Sequence, residues 1–225
     1  MNSRHVEKRR RTWLAIVLGL AATGAWLPAV ALQNANEERW AKRDAWQRPA
    51  EVMDALGITA GSTVADVGCG QGYFSFRMAA RVGPQGKVYA VDVSKEDLEK
   101  IRSRVEKDGL KQMEVILSQV NDPQLPAGAV DAILAVNAYH EMREYDRMLQ
   151  GMFRALKPGG LLGIIDHTAA PGEPREEYFK RHRMPEELVR EDAARNGFAF
   201  LARPPGFKNA DGEDWYFLIF KKPPQ

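Results

Sequence analysis

Cysteine is almost missing from this chain. Cys69 is the single one in 225 residues, so no disulfide can close within it. Histidine is scarce too, four in all, and the set lacks the short paired spacing that marks a metal site, so no metal is expected. A basic surplus is lacking in the body. The formal charge is +2, but Arg4, Lys8, Arg9, Arg10 and Arg11 against Glu7 place a net +4 in the first 31 residues, which leaves about −2 for the rest. That balance excludes nucleic acid as an expected partner. Internal repeats are absent, and no stretch of the body marks a second domain. A hydrophobic share of 44 % is enough for a sizeable core.

The long apolar run is confined to one place. A basic stretch ending at Arg11 precedes Trp13 to Val30, and Ala29-Val30-Ala31 offers the small residues a signal peptidase inspects. Residues 1–31 therefore read as an export signal, cleaved or kept as a membrane anchor. Arg10-Arg11-Thr12-Trp13-Leu14 resembles a twin-arginine signal. Either outcome puts the body, 32–225, in the periplasm or on the outer face of the inner membrane, with membrane contact only through an uncleaved leader.

The body opens with a helical segment over 36–56, divided or bent by Pro49 and placed to cover part of a ligand pocket. Strand-like and helix-like segments then alternate. Thr63 to Val67, Lys87 to Val91, Met113 to Leu117, Val130 to Val136 and Leu161 to Ile165 have the branched, continuous apolar character of buried parallel strands. Helices are expected from Tyr73 to Arg81, from a Ser94 cap to Lys107, and over Glu144 to Leu156, with Lys157-Pro158-Gly159-Gly160 as a stop and turn. A polar loop from Thr168 to Met184 precedes a helix from Glu186 to Asn196. Phe198 to Leu201 and Trp215 to Phe220 close the chain as an antiparallel edge pair, joined by a long turn through Pro204 to Gly212. This is an open α/β sheet with helices on both faces.

The most informative string is Val64-Ala65-Asp66-Val67-Gly68-Cys69-Gly70-Gln71-Gly72, a short strand running into a glycine-paved turn. A dinucleotide fingerprint needs its third glycine at position 73, where this chain has Tyr73, which argues against a pyrophosphate. A nucleoside cofactor without phosphates still needs close backbone approach and an acceptor for its amino group. Gly68, Gly70 and Gly72 supply the first and Asp66 the second. Cys69 sits within the turn as a small packing residue. Asp92 ends the next strand, where a carboxylate can accept from ribose hydroxyls. Asp122 follows the third strand, where it can meet an adenine edge or simply occupy a loop.

From Asp66 to Asp166 the chain resembles the core of class I S-adenosylmethionine-dependent methyltransferases. The carriers are the D-V-G-C-G-Q-G string, Asp92, Leu125-Pro126 before Val130-Asp131, and Leu156-Lys157-Pro158-Gly159-Gly160. The resemblance implies a Rossmann-like sheet of seven strands in the order 3-2-1-4-5-7-6, strand seven antiparallel, with S-adenosyl-L-methionine above strands one and two. Val93 and Asn137 complete the expected cofactor residues. The string Asn137-Ala138-Tyr139-His140-Glu141, with Asp166-His167 and His182-Arg183-Met184, is similar to a bacterial branch of predicted methyltransferases, which implies a reaction class and no acceptor.

Methyl transfer asks the protein to align the acceptor, remove its proton where needed and exclude water. His140, after strand four, is the first candidate base, its ordinary pKa of about 6.5 leaving it largely neutral at pH 7. Asp166 is the second. Tyr139 shapes the pocket or donates to the acceptor, Glu141 orients His140, and His167 lies beside Asp166. His182 and Arg183 bind an acidic group on the acceptor, Arg183 through its fork. Phe207, Trp215 and Tyr216 offer pocket walls. The expected partner is a small-molecule acceptor; the alternative is a catalytically inactive protein that binds the nucleoside alone.

Overall fold

Apolar strand residues point alternately to the two faces of one sheet, and each face has its own layer of helices. The computed structural model describes residues 38–209 and 211–224, and the unit that holds the sheet begins at Trp40. The leader expected over 1–31, and the first residues of the 36–56 segment, lie outside the described residues. In β1 (Thr63–Val67), Val64 joins one core cluster while Ala65 and Val67 join the other. The same alternation runs through β4 (Val130–Val136) from Ala132 onward and through the last strand, where Trp215, Phe217 and Ile219 face one way and Tyr216, Leu218 and Phe220 the other.

On the first face lie α1 (38–47), α2 (Pro49–Ala55), α3 (Tyr73–Val82) and α4 (Lys95–Asp108). The first two are divided at Arg48, which the following proline keeps out of the right-handed helical region and whose backbone is left-handed (φ 48°). Ser94 caps α4, accepting from the Asp97 N–H at 3.2 Å. On the second face lie α5 (Tyr145–Ala155), α6 (Arg175–Lys180) and α7 (Glu186–Arg195). The chain also forms β2 (Lys87–Asp92), β3 (Met113–Leu117), β5 (Leu156–His167), β6 (Ala199–Ala202), β7 (Phe207–Lys208) and β8 (Asp214–Lys221).

The sheet has eight strands in the order β3-β2-β1-β4-β5-β8-β6, with β7 pairing β8 outside that path. β1 to β5 are parallel neighbours, and β8 runs antiparallel between β5 and β6. The expected count of seven is corrected by β7, a two-residue strand inside what reads as a long turn. Two further expectations change. Lys157 to Gly160 belongs to β5: Val130 pairs with Leu156 and Ala132 with Leu161, so the intervening residues bulge inside the strand, with Gly159 at φ 80°. The loop from Thr168 to Met184 contains α6, whose Tyr178 and Phe179 are buried. Among the described residues no helix is long and apolar enough to cross a membrane.

The fold brings the carboxyl ends of β1, β2, β4 and β5 to one edge, with the start of antiparallel β8 beside the end of β5. In an open parallel sheet this edge is the ligand crevice.

Candidate active site

The glycine turn between β1 and α3 is held by backbone bonds to β2. Gly68 and Cys69 donate to the Val91 carbonyl at 2.8 and 3.1 Å, and Gly72 donates to Cys69 at 2.9 Å. Gly68, Gly70 and Gly72 have φ of 75°, 51° and 83°, a region that side chains with a Cβ avoid. Asp92 fastens the turn from the neighbouring strand. Its Oδ2 accepts from the Gly70 N–H and its Oδ1 from the Ser94 N–H, both at 2.8 Å. Each oxygen keeps a lone pair for a further donor.

Asp66 is buried at the end of β1 and accepts from the Ser75 hydroxyl at 2.6 Å. Burial pushes its pKa up from 3.8 to about 6, against the Ser75 hydrogen bond. Cys69 is buried, and burial with the Asp66 and Asp92 charges raises its thiol far above the ordinary range, so it stays protonated. α1 clasps the helix that leaves this turn. Asp44 Oδ1 accepts from the Tyr73 hydroxyl and Arg77 Nε, and Oδ2 from Arg77 Nη2, each at 2.6 Å.

At the head of the neighbouring strands stands an aspartate–histidine pair. His140 lies in a 3-10 turn, Tyr139–Glu141, that follows β4. Its Nδ1 is 2.7 Å from Oδ1 of Asp166 in β5, while Asp166 Oδ2 accepts from the His140 backbone N–H at 3.0 Å. Asp166 Oδ1 also accepts from the His167 N–H at 2.8 Å. Both side chains are buried. Burial, the largest influence on His140, lowers its pKa, but Asp166 and then Glu141 outweigh it and the net shift is upward. The carboxylate makes Nδ1 the protonated nitrogen, leaving a lone pair on Nε2. Nε2 lies 3.7 Å from Glu141 Oε1, which is itself 3.4 Å from His182 Nδ1.

Other sequence-predicted residues fall differently. Tyr139 is turned into the core under α7, where its hydroxyl donates to Asp192 at 2.7 Å; the acceptor-facing role expected of it is corrected by that commitment. Asp122 is also corrected. The segment after β3 has run down to α5, where Asp122 pairs with Arg154 at 3.1 Å, away from the strand ends. Ser118, which sequence reasoning missed, takes the place at the head of β3 and donates its N–H to the Asp92 carbonyl at 2.9 Å; its only signal is that it directly follows the strand.

His167 lies against the Trp215 ring, centroids 3.7 Å apart, and Trp46 of α1 covers that indole from 5.3 Å. Burial lowers the His167 pKa; its Nδ1 lies 3.8 Å from Glu213 Oε2, and among the described residues neither that nitrogen nor the Trp215 indole N–H has a hydrogen-bond partner. Arg183 donates to Glu213 at 2.8 Å, so its fork already holds a carboxylate. Glu213 was not foreseen, coming from the turn before β8. Tyr216 faces the opposite core cluster, and Phe207 lies under Arg48. Asn137 is exposed in the left-handed region at φ 55°, and Val93, next to Asp92, is 55 % exposed.

The two groups of residues adjoin. A Cβ built on Gly68 would stand 2.4 Å from the Ala138 Cβ, so the glycine turn rests on the residue that opens the His140 turn. The methyltransferase domain family matches residues 58–214, which take in both. The chain belongs to that methyltransferase family. A demethylmenaquinone methyltransferase of Listeria welshimeri is 32 % identical over 129 residues, 57 % of this chain and 53 % of that protein. An arsenite methyltransferase of Halobacterium salinarum is 31 % identical over 106 residues, 47 % of this chain and 27 % of that protein. The chain thus spans about half the length, or less, of these curated relatives. A solved S-adenosylmethionine-dependent methyltransferase from Aquifex aeolicus is 29 % identical, with a TM-score of 0.65 over 77 % of this chain and 89 % of the other.

S-adenosylmethionine is the cofactor this membership brings to the site, and the residues present suit it. Among the described residues a Cβ on Gly70 would meet nothing within 4 Å, so they leave open space beside the turn. Asp92 offers two lone pairs to a diol, buried Asp66 offers negative charge toward an ammonium, and the exposed Val93 offers an apolar surface to a purine.

Proposed function

We propose that this methyltransferase moves a methyl group from S-adenosylmethionine to a small-molecule nucleophile brought to the His140–Asp166 pair, in a body exported by residues 1–31. One observation carries the reading: the contact of Gly68 with Ala138, which puts the cofactor turn and the basic pair side by side. The cofactor supplies a methyl group activated on a sulfonium, whose departure leaves a neutral thioether. Asp92 and Asp66 hold its ribose and ammonium ends. Asp166 fixes the His140 tautomer, so that Nε2 presents a lone pair on the acceptor side. That lone pair holds the acceptor's proton, or a cation in its place. Trp46, Trp215 and His167 stack in a row beside Asp166, His167 pairing with Trp215 across β5 and β8, and give that side of the site an aromatic character. The relatives named for demethylmenaquinone and arsenite support a small acceptor over a macromolecule.

Purified full-length protein, isotope-labelled S-adenosylmethionine, and a panel of hydroquinones, phenols, thiols and trivalent arsenic test this. Label transferred to one class, and lost in His140→Ala that still binds S-adenosylhomocysteine, is the expected result. Donor binding without transfer to any acceptor would replace the enzyme with a nucleoside-binding protein. Export is tested by fractionating cells that express the tagged chain; accumulation of uncleaved protein in the cytosol would overturn that part.

A further inference from the structure

We propose that His140, Glu141 and His182 bind one divalent transition-metal ion of the zinc class. The site lies on the acceptor side of the proposed methyl-transfer centre. It rests on that reading for its role but not for its existence, since the ligands stand together whatever the chain catalyses.

One donor atom from each of the three residues lies within 4.8 Å of the other two. Glu141 Oε1 is 3.7 Å from His140 Nε2 and 3.4 Å from His182 Nδ1. With bonds of roughly 2.0–2.2 Å, neighbouring corners of a tetrahedral zinc site are about 3.4 Å apart. These two spacings therefore need only small side-chain adjustments. Two imidazoles and a carboxylate suit zinc and its late first-row neighbours rather than magnesium or calcium.

The shell behind the ligands is also that of a metal site. A metal-binding imidazole gives its other N–H to a carboxylate, which sets the tautomer and raises the basicity of the free nitrogen. Asp166 does this to His140 at 2.7 Å, and because Asp166 is itself tied to the His140 and His167 backbone N–H groups, the ring is fixed. His140 is thus the rigid ligand, 1 % exposed, and His182, 67 % exposed, the accessible one.

His182 is placed there by the backbone rather than by a flexible loop alone. It takes a left-handed conformation, φ 51°, at the end of α6, unusual for a residue with a Cβ. Its N–H reaches Phe179 at 3.2 Å and the next N–H reaches Tyr178 at 3.1 Å, which turns the His182 ring edge-on to His140 at 5.4 Å. A solvated Glu141–His182 pair alone would contribute almost nothing at such exposure. Three protein ligands leave a fourth position free. An acceptor hydroxyl or thiol binding there would release its proton to water and remain as the anion, so the cation would do what an imidazole base otherwise does.

The test uses full-length protein stripped with a chelator, titrated with Zn²⁺ by calorimetry and with Co²⁺ by visible absorption. About one ion per chain is expected, with the intense bands of a four- or five-coordinate Co²⁺ centre. His182→Ala and Glu141→Gln, both at exposed positions, should each weaken binding at least about 10-fold and bleach the bands. Asp166→Asn, a change behind the ligands, should weaken it about 10- to 100-fold. No stoichiometric binding, or binding unchanged in His182→Ala, would overturn the site. S-adenosylhomocysteine binding and methyl transfer by the same stripped protein separate the two readings. Transfer unaffected by stripping removes the metal's role in the reaction and leaves the methyltransferase, whereas a metal that binds as described in a protein without transfer removes the methyltransferase alone.

Discussion

Gly68 rests on Ala138, so closely that a Cβ on the glycine would lie 2.4 Å from the alanine Cβ. The contact joins the turn after β1 to the turn after β4. Gly68→Ala must therefore push the two turns apart and also adopt φ near 75°, which together cost about 2–4 kcal/mol. Among the described residues the new methyl of Gly70→Ala meets nothing within 4 Å, so the variant carries the left-handed penalty of about 1 kcal/mol. Thermal unfolding should show the larger loss in Gly68→Ala, and calorimetry should show that variant failing to bind S-adenosylhomocysteine. Equal melting temperatures for the two would refute the contact.

Asp92 is a fastener of the glycine turn. Its two oxygens take N–H groups from Gly70 and Ser94, one on the cofactor turn and one at the cap of α4. In Asp92→Asn the amide NH2 must face one of those N–H groups, donor against donor. The turn loosens, and any bond to the ribose falls from the roughly 1.5–3 kcal/mol of a bond to a charged group to the roughly 0.5–1.5 kcal/mol of a neutral one. S-adenosylhomocysteine should bind at least about 10-fold more weakly, with a lowered melting temperature. Unchanged affinity would show that Asp92 does not touch the ribose.

Burial of Asp66 sets a pH window. Its pKa rises from 3.8 to about 6 in the folded protein, so the folded state holds the proton more tightly than the unfolded chain. That preference stabilises the ligand-free fold fully below pH 3.8 and is lost as the pH rises through about 6; its size is about 3 kcal/mol. The ammonium that the proposed function places at Asp66 asks for the opposite charge state. Affinity for S-adenosylhomocysteine should therefore fall as the pH drops below about 6, and Asp66→Asn should remove that dependence while binding more weakly throughout. A flat calorimetric profile from pH 5 to about 7.5 in the unaltered protein would contradict the assignment.

The strands that position this site are legible in the sequence because they are long, branched and buried on both faces, and the glycine spacing alone argues against a pyrophosphate cofactor. What stays hidden depends on chain path. β7 has two residues and α6 six, too few for a periodicity to show. Asp122 is misplaced by sequence reasoning because residues 118–129 carry no repeat to reveal that they descend to α5. His182 and Arg183 read as one acid-binding pair, yet the left-handed turn at His182 sends its ring to Glu141 while Arg183 goes to Glu213. The meeting of His140, Glu141 and His182 needs that turn, and spacing along the chain cannot express it.

Tyr139 precedes His140 in sequence but serves the opposite face. Its hydroxyl reaches Asp192, which also accepts from Arg175 at 2.9 and 2.7 Å and from Arg195 at 2.7 Å. Removing the hydroxyl in Tyr139→Phe leaves the buried carboxylate with both guanidinium groups, so the cost is that of one hydrogen bond, about 1 kcal/mol. For a chain of this length the melting temperature should drop about 2–4 °C. Affinity for S-adenosylhomocysteine and turnover per folded molecule should not change, because nothing on the crevice side has moved. A turnover loss beyond about 10-fold at an unaltered melting temperature would return Tyr139 to the acceptor pocket.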